Sequence, residues 1–133
     1  MLQDIPRDLE TAGNRLVLRH IEGLSAHSDI VEALGTALSP LGDIQHFCPD
    51  PAEYRYYVAS TRGVIFAVAL GMNTIGFRLD ERMKSRALAS GGTPFPECGP
   101  EWVSFALFRN DWPKVDLEFW ARKAYLFIRE EQQ

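Results

Sequence analysis

The apolar positions of the chain follow two periodicities. The period-two signal comes first. Val64 to Leu70 reads Val-Ile-Phe-Ala-Val-Ala-Leu with no polar residue, which predicts a central strand covered on both faces. Thr74 to Leu79 alternates, with Ile75, Phe77 and Leu79 on one side and Thr74, Gly76 and Arg78 on the other. Tyr54 to Ala59 alternates weakly but is rich in strand formers, and Trp102 to Phe108 supplies a further run. Thr61-Arg62-Gly63 and Gly71-Met72-Asn73 are compact turn signals between the first three. The pattern predicts an antiparallel meander with strands near 54–59, 64–70, 74–79 and 102–108.

Helical spacing is the second signal. Ile30, Val31, Leu34, Ala37, Leu38 and Leu41 follow a capping-box-like Asp29 and Glu32 and are closed by Pro40 and Gly42, giving a helix near 29–39. Asp80 or Glu81 opens a helix near 81–89, and Gly91-Gly92 is read as the pair of positive-φ positions that ends it. After an Asn110-Asp111-Trp112-Pro113 turn, Leu117, Trp120, Ala121, Ala124, Phe127 and Ile128 share one face of a helix near 115–130. Glu118 and Arg122 lie four apart on its other side, in the favourable order for an ion pair. Arg15 to Ile21 has the composition of a strand ended by Glu22-Gly23. Ile44 to Phe47 reads as a short strand cut off by Cys48-Pro49-Asp50-Pro51. Residues 1–14 form a loose arm or a short helical turn. The expected fold is α+β, a meander sheet packed against three helices in one domain over 1–133, with 1–27 as an N-terminal extension.

Composition bounds the function classes. With 133 residues, 46% hydrophobic and 24% charged, the chain can bury a core without disulfides or metals. Its cysteines, Cys48 and Cys98, lie fifty apart and read as thiols in a reducing compartment. No leader-like apolar stretch and no run of membrane-spanning length appears, so the expected location is cytoplasmic, away from membranes. Net charge is −4 and residues 1–60 are the acidic half, which disfavours general nucleic-acid binding.

Several strings resemble the N-terminal domain of the TfoX family of competence regulators, and more distantly the YjbR group of small α/β proteins. They are Gly63-Val64-Ile65-Phe66-Ala67, Ile75-Gly76-Phe77-Arg78-Leu79-Asp80-Glu81, Ser90-Gly91-Gly92-Thr93-Pro94-Phe95 and Leu117-Glu118-Phe119-Trp120-Ala121-Arg122-Lys123-Ala124. The resemblance spans about residues 28 to 130. It departs at His46-Phe47-Cys48-Pro49, where family members carry a Met-Phe-Gly-Gly-like turn, and in the extra N-terminal segment. It implies an intracellular, bacterial, regulatory module without catalytic residues or cofactor, working through a protein partner or a second copy.

Four sets of residues are weighed for chemistry. His46 and Cys48, with Glu97 and Cys98, have one close ligand pair where structural zinc sites show two, so a loop histidine beside a half-buried thiol is the expected reading. A cysteine nucleophile needs an oriented base, and His20, His27 and His46 sit in no motif that supplies one. Arg78, Arg82, Lys84 and Arg86 are the one basic cluster, a possible anion or nucleic-acid patch diluted by Asp80 and Glu81. On the last helix Phe119 and Leu126 fall opposite Leu117 and Trp120, near Tyr125, as a candidate partner or dimer interface unless the N-terminal extension covers them. The first functional expectation is a protein-contact module. The alternatives are a nucleic-acid-associated regulator and a small hydrolase or ligand-binding pocket protein.

Overall fold

The computed structural model describes residues 7–21, 26, 28–47, 56–107 and 115–131. Six strands form one antiparallel sheet: β1 (Gln45–Phe47), β2 (Tyr57–Thr61), β3 (Val64–Leu70), β4 (Thr74–Arg78), β5 (Thr93–Pro94) and β6 (Trp102–Ala106), in spatial order β1-β2-β3-β4-β6-β5. The helices are α1 (Arg15–Ile21), α2 (Ser28–Leu38), α3 (Glu81–Ala89) and α4 (Leu117–Glu131), preceded by two 3-10 turns at Arg7–Leu9 and Ala12–Asn14. The expected α+β meander is therefore present. Tyr54, Arg55 and Phe108, assigned to strands from sequence, lie outside the described residues, as do Glu22-Gly23, Cys48 to Pro51 and the turn at 110–113.

β3 is central and its two faces are both covered. On one face Phe66, Ala67 and Ala69 join Ile30, Leu34, Phe77, Phe105, Trp120 and Ala124, so α2 and α4 lie on this side. On the other, Ile65, Val68 and Leu70 join Leu9, Val17, Ile21, Phe95 and Trp102. Phe66 and Ala67 are consecutive yet point the same way because the β2–β3 register slips between Ala59 and Ser60. That bulge inserts one extra residue into β3 and resets the alternation.

Five readings from sequence are corrected. Arg15–Ile21 is a helix, not a strand: Val17 and Ile21, four apart, are buried, whereas Leu16 is 43% exposed, which is a helical and not an alternating stripe. The 61–63 turn is tighter than expected, since Thr61 still belongs to β2 and Arg62-Gly63 alone turn the chain. Both have positive φ, 54° and 78°, as a type I′ hairpin requires. Thr93–Pro94 is a short edge strand where only a helix stop was expected. Gly91 has φ 105°, but Gly92 does not share the positive φ; it is small because a Cβ there would stand 2.6 Å from Val103 and 2.9 Å from the Ala87 carbonyl. Finally, the described residues 7–21 of the N-terminal segment pack on the sheet face opposite α4 and do not cover Phe119 and Leu126, while Ala26 joins the α4 side. Other boundaries moved little: α2 begins at Ser28 with Asp29 in its first turn, and Asp80 caps α3 by accepting the Met83 N–H at 2.8 Å.

The N-terminal segment is held by one buried amide. Asn14 is fully buried; its Nδ2 donates to the Leu9 carbonyl at 2.8 Å and to the Gly63 carbonyl at 2.9 Å, and its Oδ1 accepts from Ile65 N–H at 3.0 Å. β4 pairs with β3 only from Ala67 onward. Asn14 therefore meets β3 on the side that β4 leaves unpaired, bonding a C=O and the N–H two residues on, as a parallel strand would.

The cleft between α3 and α4

α4 has two flanks beside its buried ridge, and they are finished differently. On one flank Tyr125 Oη donates to the Gly42 carbonyl at 2.7 Å, and Arg129 Nη1 reaches Asp43 Oδ2 at 3.0 Å and Thr61 Oγ1 at 3.1 Å. The Arg129 guanidinium also lies over the Tyr125 ring, 5.2 Å from its centroid. These contacts tie α4 to the 42–43 loop and the end of β2. Tyr125, a candidate interface residue from sequence, is engaged in this lock.

The other flank faces α3, and here the two residue sets singled out from sequence meet. The Arg86 guanidinium stands 5.5 Å from the centroid of the Phe119 ring, and Lys123 Nζ stands at the same distance. Phe119 meets Trp120 edge-on, with centroids 4.9 Å apart. Both cations meet a ring face, and neither forms an ion pair with a carboxylate among the described residues. Arg86, Ser90, Phe105, Val115, Asp116, Phe119 and Trp120 line a hollow of about 290 Å³ at this point. Asp116 is partly engaged, its Oδ1 accepting the Phe119 N–H at 3.1 Å.

A second hollow, of about 410 Å³, lies between the start of α3 and the later turns of α4, lined by Leu79, Asp80, Glu81, Lys84, Pro100, Glu101 and Phe127. Arg86 thus neighbours Phe119 while Glu81 and Lys84 share a wall with Phe127, so the helices run antiparallel with a hollow at each end of their shared cleft. One end is cationic. The other holds three carboxylates with Lys84.

The basic cluster does not act as one patch. Arg78 is tied to Glu101, Nη2 to Oε1 at 2.8 Å, and Lys84 Nζ donates to the Pro100 carbonyl. Arg82 is exposed and forms no ion pair among the described residues, and Arg86 belongs to the Phe119 end. Leu126 is half-buried on α4. Phe127, read from sequence as purely a core residue, is also half-buried and lines the second hollow, a role that helical spacing alone cannot separate from core packing.

Of the residues weighed as metal ligands, His46 and Cys98 stand toward opposite edges of the sheet. His46 stands on β1 and Cys98 follows β5, the two outer strands of the sheet, five strand spacings or roughly 24 Å apart. Cys48 and His27 lie outside the described residues, and among the described residues no three His, Cys, Asp or Glu side chains gather. His46 Nδ1 is hydrogen-bonded to Tyr57 Oη, and burial lowers its pKa. Burial, assisted by the Glu97 charge, pushes the Cys98 thiol up to about 12, the opposite of what an attacking thiolate requires. Among the described residues no helix is long and apolar enough to cross a membrane.

Comparison of the chain with protein-family models, with curated proteins and with solved structures gave no match. The resemblance to the TfoX N-terminal domain thus stands on its residues alone. Those strings fall on β3, β4, β5 and α4.

Proposed function

We propose that the chain is a non-enzymatic protein-contact module whose recognition surface is the α3–α4 cleft. The observation that carries this reading is Phe119, a large ring at the mouth of a hollow, flanked by Arg86 and Lys123. Aromatic rings and arginine dominate binding energy at protein interfaces, where the ring supplies area and the guanidinium directional donors. The TfoX likeness, with the bacterial and regulatory setting it implies, agrees with such a role. A duplex-binding role draws less support, since Arg78 and Lys84 are occupied by Glu101 and Pro100 and the chain carries net charge −4.

The test is affinity capture from extract of the source cells with wild type, Arg86→Glu and Phe127→Asp, alongside light scattering and low-salt duplex binding. The expected result is a partner, or a second copy, lost in both variants while their circular dichroism stays native. Partner or self-association unchanged in both variants, or duplex binding abolished by Arg82→Ala/Arg86→Ala, would overturn the reading.

A further inference from the structure

Resting on the contact reading above, we infer that the occupant of the α3–α4 cleft is an acidic amphipathic helix from a different protein, with its carboxylates at the Arg86/Lys123 end. Three observations lead there.

The first is spacing. The hollows are walled on α4 by Phe119 and Phe127, eight residues apart, which is about 12 Å along the helix axis. A helix lying beside α4 presents side chains at that separation on one face at i and i+7 or i+8. One apolar side chain can then enter each hollow, the usual manner of a helix docked in a groove.

The second is backbone satisfaction. β4 and β6, beneath the cleft, are paired with each other along their whole register, from Thr74 with Ala106 to Arg78 with Trp102. The helical walls of the cleft offer no ladder either: N–H groups of their first turns, Met83 and Phe119, already donate to the Asp80 and Asp116 caps. An extended peptide laid here would find no strand edge, whereas a helix brings its backbone already satisfied.

The third is charge. Among the described residues Arg86 and Lys123 meet only the π face of Phe119 and keep their hydrogen-bond donors for an arriving carboxylate, and the guanidinium fork fits one bidentately. The nearest acid lining that hollow, Asp116, already accepts a backbone N–H.

The probe is a cross-linked helical peptide of about 16 residues, with Leu at i and i+7 and Glu at i+3 and i+4. Two controls replace the glutamates by lysine or place proline at the centre of the uncross-linked sequence. Binding is followed through backbone amide shifts of the full chain. The acidic helix should shift amides of Arg86, Phe119, Lys123 and Phe127, with each control at least about tenfold weaker, and Arg86→Glu/Lys123→Glu should weaken the acidic helix by a similar factor. Equal binding of all three peptides, binding that ignores the double variant, shifts confined to another face, or no shift at all would overturn the inference. A cleft-dependent partner captured from extract, together with an acidic helix that shifts nothing, sinks the helix and leaves the contact reading intact. A dimer dissolved by Arg86→Glu sinks the foreign partner in the same way.

Discussion

The two faces of the sheet bury comparable kinds of residue but are closed by different physics. The α2/α4 face is closed by amphipathic helices whose apolar stripes, Trp120 among them, meet the sheet over Phe66, Phe77 and Phe105. The opposite face is closed by two 3-10 turns, the short α1 and the turn around Phe95 to Cys98, with a single side-chain amide, Asn14, holding the segment in place. Both covers bury apolar area, and the second adds the buried bonds of Asn14 beneath it. One face should therefore respond to lost volume and the other to lost hydrogen bonds as well.

The largest effect belongs to the helical face. Trp120 is 6% exposed and packs on Phe105 with centroids 5.6 Å apart. Trp120→Ala should cost roughly 3–5 kcal/mol in chemical denaturation, by lost transfer energy and the cavity left behind. A cost below about 1 kcal/mol would mean the α4 cover collapses freely, and the contrast between area and bonds would fail.

Asn14→Ala comes next. It leaves the Ile65 N–H and the carbonyls of Leu9 and Gly63 without their partner; a hydrogen bond contributes about 0.5–1.5 kcal/mol net, so the loss of three sets an expected cost of roughly 2–4 kcal/mol. Hydrogen exchange separates this from a simple volume effect. The Ile65 amide should exchange with selective acceleration in the variant, while amides of α2 and α4 keep their relative protection.

The contrast also explains what was legible beforehand. The helical face could be read because α2, α3 and α4 repeat their apolar positions over two turns or more, and because β3, polar nowhere, demands cover on both sides. The other cover could not. α1 is seven residues long, too short for its period to outweigh the β-forming composition of Leu16-Val17-Leu18, and the two 3-10 turns have no apolar period. Asn14 read as one half of a Gly13-Asn14 turn, since nothing local reveals a bond to residues 49 and 51 positions away. At the cleft, Arg86 and Phe119 were each noted, but their meeting depends on α3 and α4 lying antiparallel, which no local spacing encodes.

The smallest effect tests whether the bond-held face is as dry as the helical one. Cys98 lies on that face, 3% exposed beside Phe95 and Trp102, and its thiol is raised to about 12 from 9.0. A thiol that resists ionisation in the folded state but ionises freely when unfolded binds more protons in the native protein between those values. Its contribution is fully present below pH 9 and is lost as pH climbs from 9 toward 12, with a slope of at most about 1.4 kcal/mol per pH unit. Urea midpoints across that window should fall faster for wild type than for Cys98→Ala, which lacks this buried thiol. Native Cys98 should also resist a thiol reagent at pH 8, and Asn14→Ala should accelerate its labelling if the amide keeps this face closed. Rapid labelling of Cys98 in the folded Cys48→Ala variant would mean that water reaches the Phe95–Trp102 layer, and the N-terminal cover would then be a loose lid and not a second core.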